Sequence, residues 1–194
     1  ISAIISVTAS VALTYSISGY QSASAQLDYA LSQKYSSYLL ADEFRQSSDD
    51  LTRLARTYVV TRDQAYEDQY LKILSIRDGK SPTPQDYHRI YWDFVAAGNA
   101  SPRPNGPNVA LLDRMKEAGF TSAEFAKLEE AKANSDGLVA LEVEAMNYIK
   151  GLDADGNAIE ANDPLKPIKM LHSSAYHSFK SKIMKPVDEF YVLM

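Results

Sequence analysis

"ADEFRQSSDDLTRLARTYVVT", residues 41–61, sets the fold class of this chain. Phe44, Ser48, Leu51, Ala55 and Tyr58 recur within it at steps of four, three, four and three. On an α-helix those positions share one face, and the alternation makes a heptad-like seam of the kind a bundle helix buries. Arg45, Asp49, Arg53 and Arg56 fall on the opposite side. Gln21 to Thr61 holds no proline, and Leu27, Leu31 and Tyr38 continue the seam upstream less regularly. The helix therefore extends well toward the N-terminus.

Downstream, Asp63 is an N-cap for "QAYEDQYLKIL" (64–74), which predicts a helix to Arg77 with Gly79 as its stop. Residues 81–107 are irregular, with Pro82, Pro84, Pro102, Pro104 and Pro107. Inside them lies "DYHRIYWDF" (86–94), which carries Tyr87, Tyr91, Phe94 and the single tryptophan, Trp92. It predicts a short helix of about three turns capped by Asp86. "AAGNASPRPNGPN" (96–108) is a loop, and a long irregular loop in a compact domain is often functional.

"VALLDRMKEAGF" (109–120) is an amphipathic helix stopped at Gly119. "TSAE" (121–124) is a capping box that opens a long helix from Ser122 to Lys150. Phe125, Leu128, Ala131, Ser135, Leu138, Glu142, Ala145 and Ile149 lie near one stripe of it. A last helix is expected from Pro164 to the end, with His172, Tyr176, Phe179, Ile183, Val187, Phe190 and Met194 in register and a kink at Pro186. No strand-period run competes. The chain reads as all-α: an elongated antiparallel bundle of about four main helices plus short ones.

The N-terminal stretch, residues 1–27, has no charge before Asp28. Its length suits a transmembrane or membrane-proximal helix over residues 1–24, leading into a helical domain at 25–194. Two other readings stand beside it. "SASAQ" resembles a signal-peptide cleavage site, and the small residues also suit the start of a long bundle helix. The chain reads as an excerpt of a longer protein, with a processed mature chain as the alternative.

Several chemistries are excluded. A net charge of −5 with no basic concentration argues against nucleic acid. No cysteine is present, so there are no thiolate metal sites and no disulfides. His172 and His177 are five apart and point to different faces, and His88 has no carboxylate at ligand spacing, so no metal is expected. "LDADGNAIEAND" (152–163) starts like a calcium loop but offers Ala158 for the required glycine and Pro164 for the required glutamate. Asp155-Gly156 is a tight turn instead. Phosphate loops, nucleophile elbows and HExxH are missing, so no enzyme and no cofactor are expected.

What remains is binding. Arg53 and Arg56, three apart, are neighbours able to fork onto an anion, unless Asp49 or Asp50 takes them. "NSD" (134–136) puts polar residues mid-helix, and Glu142 follows Ser135 by one heptad. That pattern is either a buried polar layer or a solvated face. The aromatics of 86–94 are either core or the wall of a pocket. The site expected is Arg53, Arg56, His88, Tyr91, Trp92, Asn134 and Asp136 around a carboxylate or zwitterionic metabolite.

Residues 41–61, "HRIYWDF" (88–94), residues 111–146 and "MKPVDEFYVLM" (184–194) together resemble the extracytoplasmic helical sensor domains of bacterial methyl-accepting chemotaxis receptors and related sensor kinases and cyclases. The resemblance covers roughly residues 25–194. It implies a first membrane helix, a bundle in the periplasm, and a last helix returning to the inner membrane. It also implies a homodimer that binds a small molecule and transmits a helix shift. It carries over no ligand residue. The alternative is a structural or protein-interaction bundle that dimerises or binds a periplasmic partner, with no ligand of its own.

Overall fold

The structure, a computed structural model, describes the backbone of residues 2–194 and the side chains of residues 13–194. Four long helices and three short ones account for its regular structure: α1 (Ser2–Thr61), α2 (Gln64–Arg77), α3 (Trp92–Ala96), α4 (Leu111–Glu117), α5 (Ser122–Ile149), α6 (Lys166–Leu171) and α7 (Ser174–Leu193). Among the described residues there is no strand, only isolated bridges at Pro84–Asn105 and Leu152–Ala158.

The chain divides into two units, Ile1–Ser37 and Tyr38–Met194. In the first, α1 leaves Leu13, Tyr15, Ile17, Tyr20, Leu27, Tyr29, Leu31 and Tyr35 exposed. The side chains of residues 1–12, half of the expected membrane span, lie outside the described residues. Among those described, no helix is long and apolar enough to cross a membrane.

The second unit holds the core. Phe44, Ser48, Leu51, Ala55 and Tyr58 of α1 are all buried, as their spacing requires. Against them lie Tyr70, Ile73 and Ile76 of α2, Leu128, Ala131, Leu138 and Ala145 of α5, and Tyr176, Ile183, Val187 and Phe190 of α7. Burying each large apolar side chain contributes roughly 1.5–3 kcal/mol, which is why the seams dominate. Asp63 caps α2 by accepting from the Ala65 N–H at 3.0 Å. The capping box at Thr121 and Glu124 is complete.

Two expectations need correction. The 86–94 helix shrinks to α3, and Asp86 does not cap it but sits at φ +50. The cause is a pairing of the flanking segments. The Thr83 N–H donates to Pro107 O at 3.1 Å, Gln85 N–H to Pro104 O at 2.9 Å, and Gly106 N–H to Thr83 O at 2.7 Å. Residues 86–103 therefore hang from a closed neck and turn sharply on leaving it. The last helix also breaks. Ser173 accepts from the Tyr176 N–H at 3.1 Å and starts α7 afresh, which leaves His172 exposed. Phe179 turns outward under Lys182, while Lys180 reaches Ser48 Oγ at 2.8 Å and Asp49 at 2.9 Å.

A polar layer crosses the core. Tyr70 and Tyr176 donate to the two oxygens of Glu142 at 2.8 and 2.5 Å, and Thr52 Oγ1 lies 2.9 Å from the Tyr176 oxygen. Burial pushes the Glu142 carboxyl above the ordinary glutamate value, and the two phenols pull against that shift. Both phenols are raised in turn by burial and by the Glu142 charge.

Candidate functional site

The aromatic segment lands on α1. Tyr87, Tyr91 and Trp92 form three edge-on ring pairs, with centroids 5.4 Å apart for Tyr87–Tyr91, 5.1 Å for Tyr91–Trp92 and 6.5 Å for Tyr87–Trp92. The Trp92 indole donates to the Tyr87 hydroxyl at 2.7 Å, which fixes both rings. Such edge-to-face pairs add about 0.5–1.5 kcal/mol each beyond area burial.

Opposite the rings, α1 presents Glu43, Gln46, Ser47 and Asp50, and the space between is a cleft. Its interior measures ≈ 10 Å³ for the centre of a water-sized sphere, the room that one water needs. These four positions follow the i, i+3, i+4, i+7 rule, so they form a single polar stripe beside the apolar seam. The stripe is held by ion pairs. Arg114 of α4 forks onto Glu43, with one bond at 3.0 Å, and Arg53 meets Asp50 at 3.0 Å. Burial raises the Asp50 carboxyl, Arg53 opposes the rise, and Asp93 and Asp49 add to it. Burial also raises Tyr87 and Tyr91.

The seven expected site residues do not share this cleft. Tyr91 and Trp92 line it, and Arg53 borders it through Asp50. Arg56 turns away: its Nε donates to Leu171 O at 2.9 Å and its guanidinium stacks 4.7 Å over the Tyr176 ring. One of its terminal nitrogens is buried without a partner. His88 is exposed and does not line this cleft. Asn134 donates to Lys182 O at 3.0 Å on α7, and Asp136 pairs with Lys132 at 2.7 Å. Of the "NSD" triplet it is Ser135 that is buried.

Glu43, Gln46 and Ser47 escaped the sequence reading, in which Asp50 stood only as a partner for the arginines and Tyr87 only as one aromatic of its segment. The polar stripe was visible in the spacing, but a stripe of that kind is ordinarily solvated, and only the landing of residues 86–94 makes it a wall. Among the described residues no cluster of His, Asp and Glu suits a metal ion. Comparison with protein-family models, with curated proteins and with solved structures gives no match to this chain.

Proposed function

We propose that residues 25–194 are the extracytoplasmic ligand-sensing domain of a bacterial transmembrane signalling receptor of the chemotaxis type. In this reading residues 1–24 anchor the chain in the inner membrane, the antiparallel bundle stands in the periplasm, and two copies act together. The observation that carries it is the cleft between Trp92 and α1. A ligand there touches three aromatic rings and the long helix that leads to the N-terminus. An ammonium group suits aromatic faces beside Asp50, and Arg53 at the rim suits a carboxylate. A zwitterionic metabolite combines the two.

The cleft admits only about one water, so a larger ligand must favour a more open arrangement. Opening presses on α1, which α7 grips through Asp49–Lys180, and through Thr52–Tyr176 at 2.9 Å. Packed helices shift between discrete arrangements, and such a shift is the signal. Thermal-shift and calorimetric screening of amino acids, amines and carboxylates tests the site. A hit should lose at least tenfold in affinity in both Trp92→Ala and Asp50→Asn, as expected for ~1.4 kcal/mol or more per contact. Unchanged affinity in both variants would refute the site.

A second reading is an interaction bundle without a ligand. Exposed Leu13, Ile17, Tyr20, Leu27 and Leu31 at heptad-compatible spacing favour it, because such a stripe pairs helices. Sedimentation of wild type against Leu27→Asp separates the two. A dimer lost with Leu27→Asp, together with a screen that finds no ligand, selects the interaction bundle.

A further inference from the structure

Arg77 ends α2 as a buried cation, with its residue 6% exposed. Among the described residues no carboxylate reaches ion-pair distance of it. Its hydrogen bonds to described groups both end on one neutral oxygen: Nη1 and Nη2 each donate to Ser135 Oγ at 3.2 Å. The Phe44 ring covers the guanidinium at 4.9 Å. A guanidinium stays protonated in proteins, and a buried charge is tolerated only against a counter-charge.

The acids that act on Arg77 from a distance are committed elsewhere. Asp136 is held by Lys132 at 2.7 Å and Asp78 by Lys80 at 2.9 Å, while Glu142 takes two phenols. Burial consequently pulls the Arg77 ionisation below the ordinary arginine value. Arg77 borders a second cleft with Phe44, Leu111, Leu112 and Lys132. Its interior again measures ≈ 10 Å³ for the centre of a water-sized sphere, room for about one water, so an acid that enters must favour a more open arrangement, as at Trp92. Two cations and three apolar side chains make up its wall, with no acid among them.

We propose that this second cleft, distinct from the one at Trp92 and independent of the sensor reading, binds the carboxylate of a small apolar acid. Ser135 takes two of the five guanidinium N–H donors of Arg77, and the carboxylate takes those that remain, in the plane that matches it. Lys132 also lines the cleft but is paired with Asp136 at 2.7 Å, so the unpaired charge there is that of Arg77. The hydrocarbon part rests against Leu111 and Leu112, which favours a short aliphatic acid over a hydrated inorganic anion.

The test titrates the full chain with formate, acetate, propionate and butyrate, against chloride and sulfate at matched ionic strength, with melting temperature and calorimetry as readouts. Saturable stabilisation by the carboxylates is expected, at least ~10-fold weaker in Arg77→Gln, as for the loss of a charge-assisted hydrogen bond. Leu112→Trp, which fills the mouth and keeps Arg77 and Ser135, should lose binding to the same degree, so the proposal stays testable if Arg77→Gln fails to fold. Trp92→Phe should leave carboxylate binding intact. The proposal is overturned if no carboxylate gives a saturable response, if chloride and sulfate match the carboxylates, or if folded Leu112→Trp binds as wild type does.

Discussion

Tyr176→Phe removes one hydroxyl and little volume, so its effect isolates the polar layer. The lost group donates to Glu142, a carboxylate 1% exposed, and borders Thr52. A hydrogen bond to a charged, buried acceptor contributes about 1.5–3 kcal/mol, against about 1 kcal/mol for a neutral one. A loss of about 2 kcal/mol lowers the melting temperature of a unit this size by roughly 4–8 °C. In a Glu142→Gln background the same substitution should cost only about 1 kcal/mol, leaving a coupling of about 1 kcal/mol. The pH dependence follows from the direction of the Glu142 shift. Its folded value lies above the ordinary 4.5, so the native state keeps its proton longer than the unfolded chain. The stability tied to Glu142 is full below 4.5 and falls as pH rises toward the folded value. Removing a phenol that favours the carboxylate raises the folded value further. The Tyr176→Phe penalty must therefore grow as pH rises from below 4.5 through the folded value. Urea unfolding of the four proteins of the cycle across that rise in pH measures this. A penalty equal in the Glu and Gln backgrounds, or flat with pH, refutes the reasoning.

Three further outcomes are expected. Trp92→Phe strands the buried Tyr87 hydroxyl and should destabilise by about 1–2 kcal/mol in urea melts. Gly79→Ala should cost about 2 kcal/mol or more. Its φ is +70, and the added Cβ would meet the Ala110 backbone nitrogen at 2.5 Å, so its urea midpoint should fall well below wild type. Thr121→Ala opens the capping box of α5 and should cost about 1 kcal/mol, with Thr121→Ser restoring most of it by circular dichroism melts.

The helices whose burial repeats were readable, because apolar spacing is a local property. The α1 seam, the α5 stripe and the Thr121 cap follow from neighbours in sequence. Even the buried polar layer was foreshadowed by Ser135 and Glu142 standing in an apolar stripe. The break at Ser173 was hidden, since the heptad count runs through it and a serine cap inside a periodic run leaves no mark. The brevity of α3 was hidden for another reason: its cause is a pairing across about twenty residues. For Arg53 the alternative left open by the spacing is the one seen, a pair with Asp50, whereas the Leu171 carbonyl that takes Arg56 is far off in sequence and left no local sign. Arg77 drew no notice as the last residue of a helix, where a cation is expected to face solvent and the helix dipole.

The neck at Thr83–Gln85 and Pro104–Pro107 has a consequence for how this protein can change. Closing a loop costs entropy that depends on its length only weakly. With both ends already clasped, residues 86–103 form a cassette whose interior can be rewritten without altering the register of the long helices. One wall of the Trp92 cleft belongs to that cassette and the other to the bundle. In the sensor reading proposed above, recognition can diversify on one side while transmission along α1 stays constant, so exchanging this segment alone is that reading's route to a new specificity.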